Sequence, residues 1–458
     1  MIYTIIFFLT FEMSNNHIPT ILIIGAGLGG LLLYHGIQKH LNKNVKKFNV
    51  VIFERDIGPQ DRWQGYNIGI NSYGMMSLIS CLPETLVTRL PEVIPNPIHE
   101  KEYPGVLHCD HKGTELFRTP PTHFKSLFEL TSIRSLSLIS YRNRLRDLML
   151  EGVNIQWGKK CIGYDEFDDE VWAIFQDGTR VRGDILIGCD GINSSIRKQR
   201  LPHLQLFDYG ITQILIDVTP NKKLMDRIIA LNGNFLFQKT FGQDGDTTFS
   251  LMRLIPIEND ITENTPDDQI HYRITFCYTY YTYWDTRNKN INVDDNNPQS
   301  VIDHIKTLIK QHREPCELTE ILLELVSIAP ASPPKKYEKP FYRTYNPPRR
   351  RPVQDINPMS VEAWESTRVT LLGDALHAMN PFLGYGANNA LQDAELLVKC
   401  LSNYEKDGYK NCIREYENEM RVRSSRDVLE SRENCLTQNL PKSKYGYLFN
   451  DIYLSGKL

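Results

Sequence analysis

The sequence predicts an α/β protein in which a parallel sheet, built on a glycine-rich βαβ unit, is joined to a second, mixed or antiparallel sheet and closed by C-terminal helices. Three observations predict it. Near the start, "TILIIGAGLGGLLLYHGIQKHL" runs from an apolar β stretch through a glycine turn into a helical pattern, and "FNVVIFERD" supplies a second β stretch ending in an acid. From roughly residue 204 to 340 the character changes to short β runs rich in aromatics. After a Pro-rich crossing over 330–352, "RVTLLGDALH" returns to a buried strand and turn, and "ALQDAELLVKCL" reads as helix.

The 458 residues are enough for two or three units of ordinary size, and 41% hydrophobic with 23% charged residues is a globular balance. The spans expected are 18–200 for the first part of the parallel-sheet domain, with an insertion belonging to the second sheet near 91–130; 201–350 for the second sheet; 351–400 for the return to the first domain; and 401–458 for a helical end. A net charge of −3 with a single basic cluster, "PPRRRP", argues against nucleic acid as a partner. The nine cysteines are dispersed and never spaced C-x-x-C, which predicts a reduced, cytoplasmic setting and no metal site. The apolar opening "MIYTIIFFLTF" is too short to span a bilayer, which takes ~20 such residues. It is read as a non-native start upstream of Met13, with membrane association through it as the alternative.

Within the first domain, "SLISYRNRLRDLMLEG" carries apolar residues at helical spacing, and "VWAIF" and "DILIGCDG" read as strands around a "DGT" turn. In the second, Tyr272, Ile274, Phe276, Tyr278 and Tyr280 alternate with Arg273, Thr275, Cys277 and Thr279, so one face of that strand is aromatic. Such a face is a core face first, and a candidate lid over a site second.

Three clusters carry chemistry. Gly25-x-Gly27-x-x-Gly30 lies between a strand and a helix, with Glu54 ending the next strand. Glycines there permit a tight turn and close approach of a pyrophosphate to a helix N-terminus, while the acid accepts from the hydroxyls of a ribose. In "ILIGCDGINSSIR", Asp190 and Gly191 follow an apolar strand, with Arg197 beyond them. In "GDALHAMNPFLGYGANN", Asp374 follows another apolar strand, and Gly384 and Gly386 precede a helix expected to start near Asn388 or Asn389.

The three clusters in this order and spacing resemble the class A FAD-dependent monooxygenases, the para-hydroxybenzoate hydroxylase-like family with its fungal relatives. The resemblance covers roughly residues 18 to 430. It implies a Rossmann-type, glutathione reductase-like FAD-binding domain beside a β-sheet substrate domain. It implies one FAD held from both ends, by Gly25, Gly27, Gly30 and Glu54 at the ADP half and by Gly373, Asp374, Gly384, Gly386, Ala387 and Asn388 at the ribityl and flavin half. Asp190 and Arg142 are implied FAD contacts, as is Arg62 on the flavin side. Pro381, Phe382 and Tyr385 are flavin-side candidates, and His377 is implied as structural. Leu376 and Tyr385 depart from the family's usual alanine and glutamine.

The resemblance also implies an oxidoreductase that uses NAD(P)H and O2 to hydroxylate or epoxidise a small aromatic or apolar molecule through a flavin hydroperoxide, with no protein nucleophile. A flavin-dependent reductase of the same fold and a catalytically silent FAD-fold protein are the alternatives. A halogenase is disfavoured because no W-x-W-x-I-P occurs, and a two-nucleotide-domain enzyme because a second G-x-G-x-x-G is missing.

Overall fold

The computed structural model describes residues 17–45, 47–59, 61, 67–93, 105–120, 138–233, 235, 237–242, 247–256, 266, 272–287, 293–329 and 348–438. The first sheet consists of β1 (Thr20–Ile24), β2 (Asn49–Phe53), β7 (Ile155–Gln156), β11 (Ile185–Gly188) and β17 (Val369–Leu371), in the order β17-β11-β1-β2-β7. All its pairings are parallel. Its central strands are continuous runs of Ile, Leu and Val because both faces are covered, as parallel sheets require; Ile21, Leu22, Ile23 and Ile187 are fully buried.

Helix α1 (Leu28–Gly36) follows β1, and the helix α8 (Tyr385–Leu401) lies against it. Glycines set that distance: a Cβ on Gly29 would sit 2.5 Å from Leu372 and 3.3 Å from the Ala390 carbonyl oxygen.

Two smaller sheets flank the first. β3 (Asn67–Ile70) pairs antiparallel with β6 (Leu138–Tyr141), and β8 (Cys161–Glu166), β9 (Val171–Phe175) and β10 (Arg180–Gly183) form a meander. The helical pattern read over "SLISYRNRLRDLMLEG" is therefore split. Its β-branched and aromatic opening takes a strand, and helix α3 begins only at Arg142 and runs to Leu150.

The second large sheet contains β4 (Val106–Cys109), β5 (Glu115–Arg118), β12 (Phe207–Val218), β13 (Phe237–Phe241), β14 (Thr247–Pro256), β15 (Tyr272–Tyr281) and β16 (Arg350–Asp355), in the order β16-β12-β15-β14-β13-β4-β5. It is mixed: only β13 and β4 run parallel. The helices α6 (Pro298–His312) and α7 (Glu317–Ser327) cover one face. Their apolar stripes, Val301, Ile305, Leu308 and Leu318, Leu322, Leu325, need a partner, and Ile214, Ile216, Ile274, Phe276, Tyr278 and Tyr280 provide it.

The aromatic face of β15 is thus the core face, and the lid reading of those residues is corrected. Burying each such side chain contributes about 1.5–3 kcal/mol, more than a half-wet wall would gain. What faces the other way is Thr275, Cys277 and Thr279.

A long helical run α9 (Tyr404–Gln438), interrupted at Gly408 (φ 71°), closes the molecule. No helix among the described residues is long and apolar enough to cross a membrane.

Candidate functional site

Four adjacent parallel strands deliver the site residues to one edge of the first sheet. β17 ends before Gly373 and Asp374, β11 before Cys189 and Asp190, β1 before Gly25, and β2 before Glu54. Ligands of open parallel sheets bind outside such carboxyl ends.

The first turn is dictated by contact between backbones. Gly25 has φ +114°, and a Cβ there would lie 2.4 Å from the Cys189 carbonyl oxygen. Gly30 is closed in as tightly, with its would-be Cβ 2.2 Å from the Gly25 carbonyl. At Gly27, the N-cap of α1, the same test meets nothing within 4 Å, so the helix N-terminus opens on space. That end is an anion-binding position.

Glu54 is buried, and its carboxylate accepts from the Ala26 N–H at 3.0 Å and the Asp56 N–H at 3.2 Å. Each oxygen keeps a further lone pair for a ligand hydroxyl. Beside it lies Arg146, which sequence reasoning passed over. It is 3% exposed and donates Nε–H to the Ala26 carbonyl at 2.9 Å and Nη1–H to the Pro59 carbonyl at 3.1 Å. Its Nη2 lies 3.9 Å from Glu54 and is buried with no hydrogen-bond partner among the described residues. The signal for Arg146 was present, since it is four residues from Arg142 on one helix and so shares its face.

Asp190 ties the second cluster together. Its Oδ2 accepts from the Ser195 N–H at 2.9 Å, while Oδ1 is buried with no partner among the described residues, and burial raises its carboxyl above the ordinary range. Arg197, buried and lowered by that burial, donates to the Ile192 carbonyl at 2.7 Å and crosses to the Ala375 carbonyl at 3.1 Å, binding the second cluster to the third.

In the third cluster, Gly373 has φ +64° and its N–H donates to Asp393 at 2.9 Å. Asp393 is fully buried. Burial alone would push its carboxyl up, but His377 at 2.6 Å and Arg423 at 2.7 Å outweigh it and hold it at about 2. His377 therefore serves as a positioning group under the strand end. Asp393 and Arg423 are functional supports that motif reading missed.

Asp374 is itself open to solvent, yet protein surrounds it closely enough that desolvation raises its carboxyl, against the pull of His377 and then Arg142. Asp374 is thus within the electrostatic reach of Arg142. A Cβ on Gly386 would come 3.6 Å from the Asp374 Oδ1, so the first turn of α8 passes beside this carboxylate.

Other expected residues divide. Helix α8 starts at Tyr385, three residues before the expected Asn388, because Gly384 with φ +68° makes the turn and nothing after it opposes helix. Gly386 and Ala387 consequently fall in its first turn. The Asn388 side chain is used within the protein: it donates to the carbonyls of Gly69 at 2.8 Å and Gly384 at 2.9 Å, and accepts from the Asn71 N–H at 3.0 Å. Tyr385 turns its hydroxyl to Glu430 at 3.2 Å. Pro381 is exposed, and Phe382 packs among Tyr209, Ile211 and Tyr281 of the second sheet. Arg62 lies outside the described residues.

The arrangement fits FAD. The open helix end at Gly27, the buried atoms Asp190 Oδ1 and Arg146 Nη2, which have no hydrogen-bond partner among the described residues, and the exposed Asp374 are what a phosphate- and hydroxyl-rich ligand would satisfy.

Residues 343–431, which contain the whole third cluster, match the FAD binding domain family. The FAD-dependent monooxygenase thnD of Trichoderma harzianum is 26% identical over 436 residues, covering 90% of this chain and 92% of its own length. The FAD-dependent monooxygenase adaC of Aspergillus niger is 25% identical over 395 residues, covering 84% and 86%. Among solved structures, HpxO of Klebsiella pneumoniae, complexed with FAD and uric acid, superimposes with a TM-score of 0.64 at 20% identity, over 95% of this chain and 92% of its own.

Proposed function

We propose that the chain, which is similar over nine-tenths of its length to an FAD-dependent monooxygenase, uses NAD(P)H and O2 to place one oxygen atom on a small aromatic or apolar organic substrate, by hydroxylation or epoxidation. The observation that carries this reading is the meeting of Gly25–Gly27, Glu54, Asp190 and Asp374 at one rim of four adjacent parallel strands, cross-linked through Arg146 and Arg197.

The N-terminus of α1 at Gly27 receives the pyrophosphate, Glu54 the adenosine ribose, and Asp374 the ribityl chain. When bound, FAD supplies the electron transfer and oxygen activation. The chain's own residues bind, orient and exclude water. The first turn of α8 directs its N–H groups toward the flavin side, where negative charge is favoured. Phe382, wedged against the second sheet, limits water at the same place. NAD(P)H is the reductant in this reading, and O2 the second substrate.

Metabolite mixtures screened for stimulated NAD(P)H oxidation identify the substrate, and conversion under labelled dioxygen tests the reaction. The expected product carries one labelled oxygen. NAD(P)H-dependent conversion without label replaces this reading with a reductase.

A further inference from the structure

A cavity lies at the opposite end of β17 from the FAD rim. The segment holding Trp364 and Ser366 leads into the amino end of that strand, whereas Gly373 and Asp374 leave its carboxyl end. Facing this approach, Lys410, Arg414, Glu417 and Arg421 recur along α9 every three or four residues and so share one helix face. With Trp364 and Ser366 they enclose a cavity of about 290 Å³. None of the residues lining it belongs to the FAD rim or to the second sheet.

The charges in its wall do not balance. Lys410 is answered by Glu365 at 2.5 Å. Glu417 is buried and committed to the protein: it accepts from the Ser366 hydroxyl at 2.5 Å and the Thr370 hydroxyl at 2.9 Å, with Arg200 3.9 Å away. Burial nonetheless raises its carboxyl, which weakens it as a counter-ion. The remainder is cationic. Arg421 is 7% exposed, with its guanidinium 4.2 Å from the ring centre of Trp364. Its Nη2 donates to the carbonyls of Val361 at 3.2 Å and Pro358 at 3.5 Å, its Nε is buried with no hydrogen-bond partner among the described residues, and Glu417 is the carboxylate whose field reaches it. Arg414, two helical turns away, donates to the Asn411 side-chain oxygen at 2.7 Å. The hydrogen-bond acceptors that these two guanidiniums meet are thus neutral, and a buried cation so placed is costly until an anion completes it.

We propose that this cavity is a binding site for a small dianion, a phosphate monoester or a dicarboxylate, held between Arg414 and Arg421. A guanidinium presents five N–H donors in a planar fork that matches the oxygens of either group. The two arginines are seven residues apart on one face, about 11 Å along the helix axis, and side chains of that length reach a common ligand. Trp364 holds the Arg421 fork in place from one side, so little freedom is lost when the anion binds. The site stands independently of the reaction performed at the flavin.

The test is calorimetric titration of the FAD-loaded full chain at pH 7 with glycerol 3-phosphate and succinate, and with their neutral counterparts glycerol and succinamide. Wild type is expected to bind at least one of the two anions about tenfold or more tightly than its neutral counterpart, as charge-assisted contacts give. Which anion binds identifies the class. Arg421→Met and Arg414→Gln each weaken that binding by about tenfold or more at unchanged flavin content. Arg414 is exposed, so its variant reads the site even if the buried Arg421→Met fails to fold. Wild type that binds neither anion, wild type that binds anion and neutral counterpart alike, or an Arg414→Gln variant of unchanged affinity overturns the proposal. The titration needs neither NAD(P)H nor turnover, so its failure and a failure of oxygen incorporation are separate results.

Discussion

The parallel five-stranded sheet and the mixed seven-stranded sheet meet at the Pro381–Gly384 turn, and they present polar chemistry to it by different means. The first works through backbone. Its turns at Gly25 and Gly373 take positive φ, Gly25 lies against the Cys189 carbonyl, and helix N-termini face outward. The second works through side chains carried on regular strands, Lys239, His108 and Cys277, with Thr275 hydrogen-bonded to Asn67 of the first domain at 3.0 Å. A backbone device tolerates no Cβ and needs little electrostatic support. A side-chain device tolerates substitution but depends on what surrounds it.

The sharpest break of this comparison is at the attachment of the second sheet. Asp355 on β16 accepts from Tyr209 and from both Nε (3.0 Å) and Nη2 (2.5 Å) of Arg432 on α9, while Asn380, next to the Pro381 turn, donates to the Tyr209 hydroxyl at 2.8 Å. All four are buried. Arg432→Met leaves a buried carboxylate uncompensated and is expected to cost about 3–5 kcal/mol in urea unfolding. A loss under 1 kcal/mol would mean that this network does not hold the sheet to the helix.

On the backbone side, Gly25→Ala forces a Cβ to within 2.4 Å of the Cys189 carbonyl at φ +114°. The expected cost is about 1–3 kcal/mol, with flavin below one per chain in the purified variant. Stoichiometric flavin at wild-type stability would show that the turn is not set by backbone contact.

A pH titration separates the two means further. Asp393 is held at about 2 against the ordinary 3.8. An acid whose folded value is depressed contributes stability that is complete above the unfolded value and is lost as pH falls through the folded one. The window is therefore pH 4 to 2, with a loss on the order of 2 kcal/mol. Asp393→Asn should be less stable at pH 7 and flatter across that window; equal slopes would remove Asp393 from the account.

The smallest effect expected is electrostatic. Ala387 lies in the first turn of α8, and Ala387→Asp puts a negative charge where reduced flavin would place its own. Bound FAD should become harder to reduce by about 1 kcal/mol with its content unchanged. An unchanged or more positive midpoint potential would show that this helix end does not face the flavin.

The same division explains what the sequence made legible. Gly25, Glu54, Asp190 and Asp374 could be read because each follows an apolar strand within a few residues, and such turns are local. Arg146, Asp393 and Arg423 are supports reached only through tertiary contact. The face of β15 could not be chosen locally, because alternation defines two faces and names neither as core. The choice was made by α6 and α7, 20 to 50 residues downstream. The start of α8 was placed near Asn388 or Asn389 because Gly384 and Gly386 were both read as preceding the helix, whereas Gly384 alone makes the turn and Gly386 lies inside the first turn.

The central claim is that three separated strand ends hold one FAD, and flavin binding by Asp374→Ala tests it most directly. Asp374 is solvent-open, so its removal should leave the fold intact. Wild type is expected to carry one noncovalent FAD per chain, and Asp374→Ala to bind FAD at least about tenfold more weakly, the loss of one charge-assisted contact. A variant that retains stoichiometric FAD at unchanged affinity would contradict the account.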